Sequence, residues 1–109
     1  MLSRDTARTY AGWFRALADP TRVQIVNLLA EAGGPMTVGQ IVEQVSVGQS
    51  TVSEHLKILA GVGFVLVEPR GTARLYQVNQ ECVSCFPSAA DVVMGRGVRP
   101  FAEAEEVAG

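Results

Sequence analysis

The feature that most constrains the fold of this chain is a change of hydrophobic period at Gly61 and Gly63. Ahead of these glycines, apolar residues recur every three or four positions, which is the period of amphipathic helices. Behind them, residues 64–68 are β-branched and apolar and residues 75–78 alternate, as in short strands. The intervening PRGTA stretch, residues 69–73, supplies turn residues. We therefore predict a mainly helical chain that carries one small β-hairpin.

Asp19 and Pro20 separate the first two helices. The first is predicted over residues 5–18, with an apolar stripe made of Tyr10, Trp13, Phe14 and Leu17. Asp is a good N-cap, and Pro suits the first helical position because its missing N–H would have no partner there. The second helix is therefore predicted over residues 20–32. We expect its inner face to carry Val23, Val26, Leu29 and Ala30.

The next two helices are short and close together. Thr37 and Gln40 have the spacing of a capping box and open the third helix. A tight turn is expected at residues 46–48, followed by a fourth helix over residues 49–60. The apolar residues of the fourth helix share one face, namely Val52, Leu56 and Leu59. The opposite face carries Ser50, Ser53, Glu54 and Lys57.

A helical region is expected to follow the hairpin. Phe86-Pro87 predicts a break in it, after which Ser88 is placed to cap a last short helix. Residues 1–95 are predicted to form one domain, which suits a chain of 109 residues that is 48% hydrophobic. Residues 96–109 are predicted to form an acidic, flexible C-terminal tail. The acids that define this tail are Glu103, Glu105 and Glu106.

Composition excludes some classes of protein and leaves others open. No apolar run approaches the roughly 18–20 residues of a membrane span, and the N-terminal MLSRDTARTY lacks the apolar core of a signal peptide. A cytoplasmic location is therefore expected. The formal net charge is −2, but the chain without its three C-terminal acids has 9 basic against 8 acidic residues. The charge therefore neither excludes nor favours a nucleic-acid partner.

Two short helices joined by a tight turn and followed by a two-stranded wing form a known DNA-reading unit. A helix reads the major groove through side chains that hydrogen-bond to base edges. The fourth helix begins with suitable polar residues, which are Gln49, Ser50, Thr51 and Ser53. Lys57 is predicted to hold a phosphate, and Arg70 and Arg74 to reach the backbone or the minor groove from the wing. Ordinary helix caps and solvated arginines are the alternative interpretation.

His55 is the single histidine of the chain. One histidine makes a poor metal site unless further histidines or acids lie nearby. We therefore expect His55 to lie near DNA, or to be structural, rather than to bind a metal.

Three stretches of the chain carry a family resemblance. Residues 16–22 read ALADPTR, residues 48–59 read GQSTVSEHLKIL, and residues 63–76 run from GFV to the tyrosine of RLY. Together they resemble the ArsR/SmtB family of bacterial repressors, in which such stretches form the entry to the second helix, the recognition helix and the wing. The resemblance covers roughly residues 10–78, and the combination is more specific than any one stretch.

The resemblance implies a transcriptional repressor rather than an enzyme, with no required cofactor. It implies a homodimer whose interface is made by the first and the C-terminal helices, with a winged helix-turn-helix in each subunit. It implies that the partner is double-stranded operator DNA whose sequence is an imperfect inverted repeat. It also implies that the repressor releases this DNA when an effector binds. The apolar stripe of the first helix fits such an interface, and an ordinary core within the chain explains it equally well.

The chain departs from the family at its metal sites. Many members sense metal through a C-x-C motif ahead of the turn, where residues 36–40 here read MTVGQ. Others bind zinc through Asp, His and Glu ligands in their C-terminal helices, but no histidine follows His55. Cys82 and Cys85 are therefore the candidate metal ligands. On a helix they share one face, and two thiolates form a chelate for soft ions.

Trivalent arsenic is the effector that we expect at this cysteine pair, because the family often senses arsenic. A mono-methylated arsenical has two open valences, whereas arsenite needs a third ligand from hydroxide, water or a thiol of the other subunit. Cadmium, zinc and mercury are alternatives. So are a reversible dithiol–disulfide sensor and two cysteines without a sensing role. A small C-x-x-C oxidoreductase is a further alternative, although the motif lacks the preceding strand of a thioredoxin-like unit.

Overall fold

The computed structural model of the protein describes residues 1–96, apart from the side chains of residues 82–88. The elements within this part are α1 (Arg4–Ala16), α2 (Pro20–Ala32), α3 (Val38–Val42), α4 (Gln49–Gly61), β1 (Val65–Arg70), β2 (Ala73–Val78) and α5 (Gln80–Val93). This order confirms the predicted fold class, which is mainly helical with a two-stranded wing. Beyond Arg96, the predicted acidic tail lies outside the described residues. In the described part, no helix is long and apolar enough to span a membrane.

Local capping sets the start of α2. Oδ1 of Asp19 accepts hydrogen bonds from the backbone N–H groups of Thr21, at 2.8 Å, and Arg22, at 3.1 Å. Pro20 occupies the first turn, so α2 has the bounds that the sequence predicted. α1 ends at Ala16, two residues earlier than predicted. Leu17 forms the C-cap, with φ −96° and ψ 9°, and the backbone is extended at Asp19, the residue before the proline.

The predicted capping box opens α3. Oγ1 of Thr37 accepts from the N–H of Gln40, and Oε1 of Gln40 accepts from the N–H of Thr37. The connection to α4 covers residues 43–48 and is longer than the turn predicted at residues 46–48. The difference arises because α3 stops after five residues, while α4 starts at its predicted position.

The main core lies where the central helices meet the hairpin. Its residues without exposed surface are Ile25, Ile41, Val52, Leu56 and Leu59. The last three form the face of α4 that the sequence predicted to be apolar. α4 is therefore the helix whose buried side follows most directly from its pattern.

The buried face of α2 differs from the predicted one. Leu29 is buried as expected, but Ile25 has no exposed surface and Val23 is 48% exposed. Ala30 is also exposed. Apolar residues lie nearly all round this helix, so their spacing does not select a face. Contacts with α4 and β2 select it instead, and they place Ile25 and Leu29, one turn apart, against the core.

β1 and β2 pair as an antiparallel hairpin whose last pair is Arg70 opposite Ala73. The loop between them is Gly71 and Thr72. Gly71 has a φ of +63°, as the first central residue of a type II′ turn requires. The turn predicted over residues 69–73 was therefore too long, because a two-residue loop matches the twist of the strands. The proline of that stretch is tolerated in β1, which has a free edge.

Hydrogen bonds attach the hairpin to the helical part. Met36 and Tyr76 exchange two of them, with Met36 N–H donating at 2.9 Å and Tyr76 N–H donating at 2.8 Å. Nδ2 of Asn79, just after β2, donates to the carbonyl of Gly63 at 2.8 Å. Oδ1 of Asn79 caps α5 by accepting from the N–H of Glu81. These bonds hold the wing beside α3 and α4.

α5 packs against α1 in a second cluster of the described residues. Its buried members are Tyr10, Ala89 and Val92, with Leu2, Trp13 and Phe14 packed around them. The predicted stripe of α1 therefore serves a core within the chain. α5 is continuous from Gln80 to Val93, so the break predicted at Phe86-Pro87 is wrong. Ala89 and Val92, beyond the proline, hold the second half of the helix on α1, and the proline forgoes one backbone hydrogen bond.

Candidate nucleic-acid interface

The first turn of α4 leaves its polar side chains available. Its N-cap is Gly48, which has no side chain to form a cap. Gln49, Ser50 and Thr51 are all exposed. The interpretation in which Ser50 and Thr51 cap the helix is therefore wrong, because the capping position belongs to the glycine.

Burial of the opposite face fixes the orientation of α4. On this helix, which is described throughout, the residues without exposed surface are Val52, Leu56 and Leu59. The helix cannot turn about its axis without opening this packed face. Ser50, Glu54 and Lys57 follow one another at helical spacing on the outer side. The side chains of Glu54 and Lys57 are 68% and 78% exposed.

A concave surface, called the groove below, joins α4 to the hairpin. α4 contributes Gln49, Ser53 and Lys57 to its lining, and the hairpin contributes Thr72 and Arg74. Ser53 is half-buried because it lies on this inner flank of the helix. The structure therefore brings four of the predicted DNA-binding residues together from two elements.

Arg70 lies on the other strand and does not line the groove. Its Nη2 is 3.6 Å from Oε2 of Glu68, and its side chain is 68% exposed. Exposed ion pairs of this kind are weak. The guanidinium at the wing tip is therefore held loosely and can exchange its partner.

His55 faces α2 rather than the exposed side of α4. Its side chain is 15% exposed, its Nδ1 lies 3.1 Å from Nη1 of Arg22, and its Nε2 lies 3.9 Å from Oδ1 of Asp19. A guanidinium is a permanent donor, so Nδ1 accepts this hydrogen bond. The proton of the neutral ring then lies on Nε2, on the side of Asp19. The structure does not bring His55 to the groove, and of the other predicted DNA-binding residues Ser50, Thr51 and Arg70 also lie outside its lining.

Arg22 joins three helices at this point, a role that the sequence pattern did not reveal. From α2, its Nε donates to the carbonyl of Ala16 at the end of α1, at 2.6 Å. Its Nη1 donates to His55 on α4. One planar guanidinium presents donors in several directions, so it satisfies both acceptors. One feature of the sequence pointed to this role. Asp19 and Pro20 are enough to start α2, so the cap does not explain why Arg22 stands at the end of the ALADPTR stretch.

The Asp19 carboxylate completes this network. The backbone N–H of Arg22 is the largest cause that lowers the pKa of Asp19 below its ordinary value of 3.8. Desolvation opposes this effect, while the N–H of Thr21 and the positive charge of Arg22 add to it. Asp19 is therefore held in its charged form, which suits the positive end of a helix N-terminus.

The cysteine pair lies in α5. Positions 82 and 85 are both within its helical backbone, three residues apart, which places them in adjacent turns. Their side chains lie outside the described residues. Where side chains are described, no three of His, Cys, Asp and Glu lie close enough together to hold a metal ion. The predicted thiol site at Cys82 and Cys85 stays a prediction.

Known proteins match this chain over the elements just described. The family described as bacterial regulatory protein, arsR family, matches residues 19–66, from the N-cap of α2 into β1. An HTH-type transcriptional regulator of Mycobacterium tuberculosis is 34% identical over 83% of this chain and 82% of its own length. The arsenical resistance operon repressor of Bacillus subtilis is 38% identical over 71% of this chain and 72% of its own length.

A solved structure extends the likeness beyond the helix-turn-helix. It is the solution structure of a homodimeric winged helix-turn-helix DNA-binding domain from Mycobacterium bovis, a possible ArsR-family transcriptional regulator. It superposes with a TM-score of 0.67 at 29% identity, and the match covers 87% of this chain and 88% of that one. The matched range contains α4 and the Arg22–His55 contact, and the curated relatives are regulators of transcription. The protein belongs to the ArsR family of bacterial regulatory proteins.

Proposed function

We propose that this regulator is a repressor that binds operator DNA as a homodimer and releases it when an effector binds. The observation that carries the DNA-binding part is the groove, where Gln49, Ser53 and Lys57 of α4 face Arg74 of the wing. The major groove admits a helix whose open face carries hydrogen-bonding side chains. A cation beside that helix reaches the phosphates and fixes its position.

We assign base contacts to the start of α4 and phosphate contacts to the cations around it. The base-reading residues are Gln49, Ser50, Thr51 and Ser53. The phosphate-binding residues are Lys57, Arg70 and Arg74. We assign His55 an indirect role, because its ring is engaged by Arg22 and keeps α4 in place against α2.

Apolar surface at the start of α1 and the end of α5 supports a homodimer. Met94 is 72% exposed and Val93 is 49% exposed. Met1, ahead of α1, lines a shallow surface depression together with Val93. Such a surface is covered when a second copy packs on it. The similar domain from Mycobacterium bovis is homodimeric. Residues 1–95 then serve as one DNA-binding and dimerisation domain, with two α4 helices placed for half-sites about 34 Å apart.

Trivalent arsenic bound to Cys82 and Cys85 is our proposal for the effector. The pair stands in α5, which follows the wing directly and packs against α1. A chelate there acts on the helices that set the separation of the two α4 helices. The similar proteins include arsenical resistance operon repressors and a probable mercury resistance operon repressor, and both arsenic and mercury bind thiols. To release the operator, the ion must bind the DNA-free form of the repressor more tightly than the DNA-bound form by several kcal/mol.

Selection from a randomised pool of duplexes tests the DNA-binding part. We expect enrichment of a two-fold symmetric site by the purified dimer. Gln49→Ala should weaken binding to that site by about tenfold, the effect of one base contact, and leave binding to an unrelated duplex unchanged. Failure of the protein to enrich any sequence would contradict the proposal.

Titration of the selected complex with arsenite and with a mono-methylated arsenical tests the effector. We expect release of DNA from the natural protein and little release from Cys82→Ser or Cys85→Ser. A Cys82→Ser protein that responds as the natural one does would exclude the thiol site. Release by peroxide, with a Cys82–Cys85 disulfide seen by mass spectrometry, would favour the redox alternative.

A further inference from the structure

Glu54 is an acidic residue in the middle of the face that we propose to meet DNA. It lies four residues after Ser50 and three before Lys57 on the outer side of α4. Its side chain is 68% exposed, and its Oε2 lies 3.5 Å from Nζ of Lys57. An exposed pair with this geometry contributes little to stability. The fold therefore does not explain why a carboxylate occupies this position.

A carboxylate on this face weakens binding to DNA in general. Each phosphate of the duplex carries a negative charge, and binding is driven largely by cations that neutralise it. α4 carries no other acidic residue, and the nearby Ser50 and Ser53 are neutral. Lys57 offsets part of the repulsion. If Glu54 takes part in recognition, the remaining repulsion between its carboxylate and the phosphates must be offset by a favourable contact that only certain base sequences provide.

The hydrogen-bonding groups of the bases identify that contact. An ionised carboxylate only accepts hydrogen bonds. The donors in the major groove are the N4 amino group of cytosine and the N6 amino group of adenine, but adenine presents its N7 acceptor beside its donor. A carboxylate therefore favours cytosine. The neighbouring Lys57, which we assign to a phosphate, places a positive charge beside this carboxylate and keeps it ionised as an acceptor.

We propose that Glu54 determines sequence specificity by accepting a hydrogen bond from N4 of a cytosine in each half-site. This inference rests on the proposed function, because it requires α4 to lie in the major groove. It specifies a cytosine at one position of each half-site, which the neutral polar residues of α4 do not specify. It also gives the carboxylate a role in rejecting other sequences, since elsewhere it meets acceptors and phosphates without compensation.

Selection from a randomised duplex pool with four proteins tests the proposal: the natural protein, Glu54→Gln, Glu54→Ala and Glu31→Gln. Glu31 is exposed on α2, so its substitution removes the same charge away from α4. We expect a C·G pair at one position of each half-site selected by the natural protein and by Glu31→Gln. Glu54→Gln should lose about tenfold in preference for that pair and shift toward adenine, which a Gln amide recognises.

The affinities separate a base contact from a general charge effect. Both Glu54 variants should bind an unrelated duplex more tightly than the natural protein, because a repulsive charge is gone. Glu54→Ala should lose the cytosine preference without gaining one for adenine. Selection of the same site with the same preference by the natural protein and Glu54→Gln would overturn the inference alone. Failure of the natural protein to select any site would overturn both the proposed function and the inference.

Discussion

Nη1 of Arg22 donates a hydrogen bond to Nδ1 of His55 at 3.1 Å, and this contact ties the start of α2 to the middle of α4. The same guanidinium donates to the carbonyl of Ala16 at the end of α1. α4 is thus held on its neighbours by a polar network as well as by its apolar face. The orientation of the proposed DNA-reading helix therefore depends on a half-buried ring that does not itself line the groove.

Substitution of His55 should reveal this positioning role. His55→Ala removes the acceptor of Arg22 Nη1 and leaves only the bond from Nε to Ala16, and we expect the free energy of unfolding to fall by about 1–2 kcal/mol. His55→Asn keeps an acceptor near the place of Nδ1 and should lose less. Urea denaturation followed by circular dichroism measures both losses. Equal losses in the two variants would show that the hydrogen bond to Arg22 does not matter.

Salt dependence distinguishes this role from a direct DNA contact of His55. A residue that neutralises a phosphate contributes about 0.9 to the slope of log affinity against log salt concentration. We expect the slope for the selected duplex to be the same in His55→Asn and the natural protein. A slope lower by about one unit would place His55 on the phosphates instead.

Asp19 should make stability depend on pH. Its pKa is lower in the folded protein than its ordinary value of 3.8, so folding favours the carboxylate. The stability from this preference is present above the unfolded pKa and is lost as the pH falls through the folded pKa. We expect the free energy of unfolding to fall below about pH 4, and to fall less steeply in Asp19→Asn. Denaturation curves at several pH values test this, and parallel pH profiles would contradict it.

Lys57 and Arg74 should act on all DNA sequences alike. Because we assign them to phosphates, Lys57→Gln and Arg74→Gln should each reduce the salt slope by about 0.9 and weaken specific and unrelated duplexes by similar factors. Arg96→Gln is the matched control, because Arg96 is exposed beyond the end of α5 and pairs with Asp91. Fluorescence anisotropy over a range of salt concentrations gives the slopes. A change in base preference without a change in slope would reassign these residues to base contacts.

Two substitutions on α2 compare its buried and exposed sides. Ile25→Ala removes a side chain without exposed surface and should cost about 2–4 kcal/mol of unfolding free energy. Val23→Ala changes a residue that is 48% exposed and should cost about 0.5 kcal/mol or less. Urea denaturation of the two variants checks this. The opposite order would mean that α2 packs with the face predicted from the sequence.

Short-range chemistry determined much of this protein from the sequence itself. Asp19 and Pro20 define the start of α2, and the pair Thr37 and Gln40 defines the start of α3, because a cap involves residues two or three positions apart. The apolar face of α4 also followed from its spacing, since the residues on its other side are polar. The polar candidates for DNA contact followed from the same pattern.

Tertiary packing decided the features that local chemistry leaves open. Apolar residues nearly surround α2, so contacts with α4 and β2 selected Ile25 as its buried residue. α5 passes through its proline because Ala89 and Val92 are held on α1. The partner of His55 is 33 residues away in the chain, a separation at which no spacing rule applies. The sequence alone thus determined which polar side chains lie opposite the apolar face of α4, and only the tertiary structure decided how that helix is held and which of its polar residues turn inward.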